Sequence, residues 1–477
     1  MKLLIDTNIF IPLEPTSSED VSGNTPLVAE LSQLASQTKC DLWLHPAQQV
    51  DIANDNNPER LAMRIVLFSK YPVLPIENAI APDGNTNDWV DDQLIEAVRI
   101  GAVSGLVTED RKLIRKANRI LGSGKIFNLL EAITVLRTMR GIPPQPLLEA
   151  LPKKTFNLDP NDSFWDSFKH DYVGFEQWLE KVRLDHRDCW VIEGEPGKLA
   201  GALIVKWEGK TNVGEKTLKI CSFKVDSSFG GRKYGELLLK TVFKYCLANE
   251  GDALYVTVFP HHVQLIQLLT DFGFYKQGDA DTGEEIFSKV LISNAKIIES
   301  PENSLERFIQ NGPHYAEIPR KDILVIPVLP VYHDLLFPEF AEQKALLTPI
   351  TGNTLRKVYI SKAPRKNLRP GSILLFYRSR ASRDILAWGV LEETLCSRSV
   401  DEICAFVMPR TVYSRGEIEE MCETGGVTAI MFRQGLIEPK NPLKFSDLVG
   451  IQAIGGYPQS ITRLKEAGAK IVESWLS

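Results

Sequence analysis

The chain has little that would tie it to a membrane, a disulfide framework or a polyanion. No run of about 18 apolar residues occurs, so no membrane span is expected. The first residues carry one lysine and then an acid at position 6, without a signal peptide's apolar core. The seven cysteines are odd in number and contain no CxxC pair. That pattern argues for a reducing compartment and against a disulfide framework or a cysteine-based zinc site. Net charge is -6, so any nucleic-acid binding must come from a local patch. No internal repeat or low-complexity tract is present. These absences lead us to expect a soluble, cytoplasmic protein.

What is there is ordinary globular composition: 477 residues, 44% hydrophobic and 24% charged, enough for three or four domains. The proline-dense "GIPPQPLLEALPKKTFNLDPND" (141–162) reads as a connector, and "SNAKIIESPENSLERFIQNGPHY" (293–315) as a weaker break with room for a short helix. We therefore expect a multidomain α/β and α+β protein with modules at 1–145, 155–298 and 315–477.

The first module alternates strand and helix, as a parallel sheet requires. "KLLID", "CDLWLHP" and "GLVTED" read as strands. "PLVAELSQLASQTK", "ERLAMRIVLFSKY" and "DDQLIEAVRIGA" read as helices, with another near 128–140. Two of the strands exit through acids, at Asp6 and at Glu109–Asp110. Asp91 and Asp92 stand at the expected start of a helix, and Asp51 near the start of another, with Asp55 four residues on. Two plain alternatives stand beside this, a turn at Asp6 and helix capping by Asp91 and Asp92. Several carboxylates converging on one sheet edge would instead repel one another unless a hard divalent cation, Mg²⁺ or Mn²⁺, joined them.

The ordered motifs "LLIDTN", the acid after "HPAQQV" and "DDQLIEA…GLVTED" resemble the PIN domain, a family of metal-dependent nucleases that mostly cleave RNA. The resemblance implies metal ligands at Asp6, Asp92 and Asp110, with Asp51 as a fourth catalytic acid. Asn8 matches the polar residue two positions after the first acid, and Asp91 is the alternative to Asp92.

In the second module, "VDSSFGGRKYGELLLK" places Gly230, Gly231 and Gly235 between a long strand and an amphipathic helix. Inward-turned amides at a helix start suit a pyrophosphate, with Arg232 and Lys233 adding charge. With "ALYVTVF" and "LTDFGF" following, the order resembles the GNAT acetyltransferases. The resemblance implies acetyl-CoA as cofactor, with its pantetheine arm along the strand through Phe223 and Val225. Two positions depart from the family. Its asparagine after the fifth strand falls on His262, and its tyrosine acid on Leu269, leaving Tyr275 or Cys221 as substitutes.

The last module is rich in short strands. Residues 355–383 hold nine Lys or Arg and no acid, interleaved with Tyr359, Phe376 and Tyr377 and followed by Trp388. Charges for phosphates beside aromatic faces for bases suggest an RNA-binding surface. The other reading is a barrel core with a solvated basic face. "LRPGSILLFYRS" with "AWGVLEET" resembles the PUA-like superfamily that includes ASCH and EVE domains, which implies a β-barrel and RNA contacts at Arg356, Lys357, Arg378 and Arg380.

Together the resemblances imply a metal-dependent ribonuclease joined to an acetyl-CoA-binding module and an RNA reader. PIN and GNAT proteins both occur as bacterial toxins, so a stress or defence toxin with an antitoxin partner is a further expectation. DNA as substrate stays open. The rivals are an acetyltransferase whose flanking modules deliver substrate, and a non-enzymatic sensor of modified nucleic acid.

Overall fold

A computed structural model describes residues 1–17, 20, 25–76, 86–121, 125–139, 150–194, 198–229, 231, 233–340, 353–362, 364–365, 367–379, 383–407, 410–413, 415–423, 425–436 and 441–477. The chain forms two compact units. The first comprises residues 1–144, 362–365 and 395–429, and the second 145–361, 366–394 and 430–477. Among the described residues no helix is long and apolar enough to cross a membrane.

In the first unit, β1 (Lys2–Ile5), β2 (Asp41–Trp43), β3 (Gly105–Val107) and β4 (Ile126–Phe127) form a parallel sheet in the order β2-β1-β3-β4. Leu3, Leu4 and Ile5 are all fully buried. A strand covered on both faces needs that continuous apolar run, where a half-solvated strand would alternate. The connecting helices are α1 (Thr7–Leu13), α2 (Thr25–Gln37), α3 (Gln48–Ala53), α4 (Pro58–Phe68), α5 (Thr86–Arg99), α6 (Arg111–Leu121) and α7 (Leu129–Met139). Helix α5 begins five residues before Asp91, so Asp91 and Asp92 lie in its second turn and do not open it. Helix α3 ends at Ala53 and leaves Asp55 outside it.

Among the described residues the second unit has two seven-stranded sheets and a two-stranded one. The first holds β5 (Leu151–Lys154), β6 (Asp188–Glu193), β7 (Leu199–Gly209), β8 (Thr217–Val225), β9 (Ala253–Val258), β10 (Tyr275–Asp279) and β11 (Glu285–Val290). Their order is β10-β11-β9-β8-β7-β6-β5, antiparallel except for the β8–β9 pair. Pro152 is accommodated because β5 is an edge strand. Helices α8 (Asp166–Asp171) and α9 (Phe175–Leu184) join β5 to β6, α10 (Tyr234–Ala248) joins β8 to β9, and α11 (Val263–Asp271) follows β9. Leu237, Leu238, Val242 and Phe243 of α10 pack on Leu203, Val205, Leu218 and Ile220 of the sheet.

The expected break at 293–315 is a strand, helix and strand: β12 (Ala295–Ile298), α12 (Ser304–Asn311) and β13 (Ala316–Pro319), with the two strands paired in parallel. A boundary at 298 would part β12 from its partner. The second sheet holds β14 (Ile323–Val328), β15 (Arg356–Ser361), β16 (Ile373–Arg378), β17 (Asp384–Ser397), β18 (Val427–Gln434), β19 (Leu443–Lys444) and β20 (Thr462–Arg463). It runs β15-β18-β17-β16-β14-β20, with β19 on β17. Among the described residues the strands form a mixed sheet whose path runs from β15 to β20 without closing into the expected barrel. Its core is shared with α12 and the C-terminal helix at Gly468–Leu476.

Candidate active site

Strands β8 and β9 are paired only over Thr217–Ile220 and Ala253–Val256. Beyond that register the two parallel strands carry on without pairing, β8 to Val225 and β9 to Val258. On its other side β8 stays bonded to β7, with Phe223 opposite Leu203 and Val225 opposite Gly201. The register with β7 shifts between Ile204 and Val205, which face Ser222 and Ile220, so Cys221 is the extra residue of a bulge. A bulge bends its strand and increases its twist. Here it falls where β8 leaves β9, and the polar edge of Cys221–Val225 is left for another partner.

Helix α10 starts at that opening. Gly231 (φ 74°) and Lys233 (φ 60°) precede it in left-handed conformations, the backbone that turns successive amides toward one side. Gly230 and Arg232 lie outside the described residues. A Cβ at Gly235 would stand 2.7 Å from Leu268 Cδ2 and 4.0 Å from the Phe223 ring. Three elements, β8, α10 and α11, thus meet at Gly235, and the absence of a side chain is what lets the first turn of α10 approach α11.

In the first unit Asp6, Asp51, Asp91 and Asp110 influence one another electrostatically, although among the described residues no three of them place oxygens within 4.8 Å of one another. Asp6 is buried and already accepts three short hydrogen bonds: the Thr7 amide at 2.6 Å, Asn8 Nδ2 at 2.6 Å and Thr108 Oγ1 at 2.6 Å. Burial pushes its carboxyl up to about 6, with added repulsion from Asp51 and Asp110, against the pull of the Thr108 and Thr7 bonds. Asp51 accepts from Thr7 Oγ1 at 3.2 Å, and burial raises its carboxyl also. Asp110 caps α6 through the amides of Lys112 and Leu113. The fourth member is Asp91: burial, then Asp6 and Asp110, push it up to about 7. Asp92 is exposed and pairs with Lys116 at 2.8 Å, a cation that also pulls against the rise of Asp91. Helix phase explains the correction. Val90, Leu94, Ile95, Ala97 and Val98 are buried, and adjacent helical residues point about 100° apart. Asp55 is bound to Arg60 and Arg64 at 2.6 Å each and takes no part. Glu109 accepts the Leu129 amide at 2.8 Å, at the start of α7.

The basic stretch is corrected more thoroughly. Lys357 is fully buried, donates to the Leu336 carbonyl, and is held well below its usual pKa by burial and by Lys240. Arg356 makes a two-pronged pair with Glu392 at 2.6 and 2.9 Å. Burial alone would lower its pKa, but Glu392, Asp271 and Glu236 raise it. Arg378 is buried and pairs with Asp384 at 3.3 Å. Phe376, Tyr377 and Trp388 are core residues. Tyr359 donates to the Pro327 carbonyl. Arg380 lies outside the described residues. Arg356, Lys357 and Arg378 are therefore interior ion-pair and packing residues, and neither a nucleic-acid surface nor a solvated face.

Comparison with known proteins identifies one of these regions. Residues 150–274 match the acetyltransferase (GNAT) family. The match begins one residue before β5 and ends one residue before β10. Among solved structures the chain is similar to a putative GNAT acetyltransferase from Desulfovibrio desulfuricans (13% identity, 30% of this chain and 98% of that one, TM-score 0.24). It is similar to the NatC complex solved with Gag peptide and CoA (16%, 30% and 96%, 0.23). It is also similar to ASCH from Zymomonas mobilis (22%, 32% and 94%, 0.24). No curated protein matches the chain.

One departure from the family pattern, at Leu269, has a structural counterpart. Leu269 is fully buried and apolar, and cannot supply a proton. Tyr275, the substitute expected from the sequence, is half-exposed on β10. Tyr172, which our reading of the sequence missed, packs its ring on Phe259 just past β9 at 5.0 Å and donates to Glu284 at 3.2 Å. Burial, then Glu284, raises its pKa. Nothing in local sequence marks it, since it lies 87 residues before Phe259.

Proposed function

We propose that the protein is an acetyl-CoA-dependent acetyltransferase whose active site is the opening between β8 and β9. The observation that carries this reading is the loss of β8–β9 pairing after Ile220 and Val256, beside the left-handed entry into α10. The free edge of Cys221–Val225 suits the amide-rich pantetheine arm, which would bond to it as an added strand does. The turned amides near Gly231 and Lys233, at the positive end of a 15-residue helix, suit the pyrophosphate. Phe223 and Val225 would flank the arm. The chemistry is attack of an acceptor amine on the thioester carbonyl, with release of CoA. With Leu269 excluded, Tyr172 is the tyrosine that the fold brings to the end of β9, and we assign it to the departing sulfur. The test is a thiol-release assay with a panel of amines and peptide N-termini. Acetyl-CoA-dependent release, reduced by Tyr172→Phe with acetyl-CoA affinity intact, supports the assignment. Equal rates in wild type and variant overturn the role of Tyr172, and no release with any acceptor overturns transfer.

A second reading is favoured by the acids of the first unit. We propose that Asp6, Asp51, Asp91 and Asp110 form a PIN-like hydrolytic site for a phosphodiester of RNA or DNA. Its support is that burial raises Asp6 and Asp91 and that repulsion among the acids adds to the rise, a repulsion that Mg²⁺ or Mn²⁺ would remove. Among the described residues no three of these acids place oxygens within 4.8 Å of one another. A cation would thus be held by one or two carboxylates and water, as Mg²⁺ commonly is. It would supply an acidified water and stabilise charge on the phosphate. Mn²⁺-dependent cleavage of single-stranded RNA or DNA that is lost in Asp91→Asn and retained in Asp92→Asn is the expected outcome. No cleavage, or the reverse dependence, removes this reading.

A further inference from the structure

The strongest unassigned cluster lies at the end of β9. Asp171 closes α8, and His261 and His262 lie between β9 and α11, with His262 at the helix's N-cap position. Asp171 Oδ2 is 3.3 Å from His262 Nε2 and 3.7 Å from His261 Nε2. Ligand atoms of all three lie within 4.8 Å of one another, the one such set of three His, Cys, Asp or Glu among the described residues.

We propose that Asp171, His261 and His262 form a divalent transition-metal site, of the kind that takes Zn²⁺. Two observations support it independently. First, His262 Nε2 is shielded from solvent and has no hydrogen-bond partner among the described residues, although the carboxylate oxygen is only 3.3 Å away. A nitrogen and a carboxylate oxygen at that distance, misaligned for a hydrogen bond, are placed to share a third atom. Second, the distances fit. Zinc bonds of about 2.0–2.2 Å to nitrogen and oxygen put ligand atoms in a tetrahedron roughly 3.3–3.6 Å apart, beside the 3.3 and 3.7 Å found.

The ligands are also held. Phe259 stacks on the His261 ring at 5.6 Å and 13°, and Tyr172, next to Asp171, packs on Phe259 at 5.0 Å. Two imidazoles and one carboxylate satisfy three positions of a zinc site and leave the fourth for water or a carbonyl oxygen, the pattern of a catalytic zinc. Cysteine spacing could not have revealed it, because no thiol contributes. The site does not depend on acetyl transfer: its claim is metal binding by these three side chains.

The test uses the full chain, stripped with chelator and titrated with ZnCl2 by calorimetry at pH 7. Because acids in the first unit also attract cations, the Asp6→Asn protein is titrated in parallel. We expect one zinc site that survives Asp6→Asn, weakens at least 100-fold in His261→Ala/His262→Ala, and weakens at least tenfold in Asp171→Asn. Substituting Co²⁺ should give the intense visible bands of four-coordinate cobalt. His261 is exposed, so His261→Ala alone serves if the double variant does not fold, with a loss of at least tenfold expected. Zinc binding absent from the wild type, or unchanged by His261→Ala, overturns the proposal.

Discussion

Replacing Asp6 by asparagine tests whether its buried carboxyl, raised by burial and by neighbouring acids, sets the pH dependence of stability. In the folded chain burial raises this carboxyl from 3.8 to about 6. A folded-state pKa above the unfolded one means that the native protein binds the extra proton. The associated stability is therefore complete below about pH 4 and is lost as pH rises through about 6. At about 1.36 kcal/mol per pKa unit, the loss is about 3 kcal/mol for this group. The substituted amide would keep the side-chain volume and carry no charge at any pH. The Asp6→Asn variant should thus gain stability relative to wild type as pH rises, by about 2–3 kcal/mol between pH 4 and pH 7.5. Urea unfolding of both proteins across that range, followed by protease sensitivity of peptides from β1 and β3, measures it. Millimolar MnCl2 at pH 7.5 should stabilise the wild type and leave the variant unmoved, since a ligand stabilises only the state that binds it. A stability difference that stays flat from pH 4 to pH 7.5 would refute the reasoning, because Asp6 would then be balanced by groups that our account omits.

Two other outcomes follow from the geometry. Arg356→Gln breaks a buried two-pronged pair, which ordinarily costs about 3–5 kcal/mol. Arg433, 3.2 Å from Glu392, stays in place and should hold the loss near about 3 kcal/mol in thermal unfolding, with affinity for a single-stranded RNA oligonucleotide unchanged. A protein of undiminished stability with weakened RNA binding would restore the surface reading. Gly235→Ala puts a methyl 2.7 Å from Leu268, an overpacking that costs about 1–3 kcal/mol against about 1 kcal/mol of helix propensity gained. Stability should change by no more than about 2 kcal/mol while acetyl-CoA affinity falls about tenfold, as titration would show.

How far the sequence could be read depends on the range of the interactions involved. The buried strand Leu3–Ile5 ending on Asp6 is local, and it led to the parallel sheet and to three of the four clustered acids. The choice between Asp91 and Asp92 needed the true start of α5. The resemblance favoured Asp92 by its spacing to Ala97 and Gly101, and one residue of phase moves a side chain by about 100°. The glycine loop before α10 was legible because left-handed backbone strongly favours particular residues. The basic stretch misled because its counter-charges come from elsewhere: Glu392 lies 36 residues after Arg356, and Asp384 six after Arg378. Nine cations without an acid inside a window look exposed until those partners are seen. The Asp171–His261–His262 cluster joins residues about 90 positions apart, which no spacing rule within one segment detects.

The central claim is that the opening between β8 and β9 receives acetyl-CoA, and calorimetry on the full chain addresses it most directly. The account predicts saturable binding of one equivalent, competed by free CoA and weakened by Gly235→Ala. No heat and no thermal shift at millimolar acetyl-CoA would contradict it.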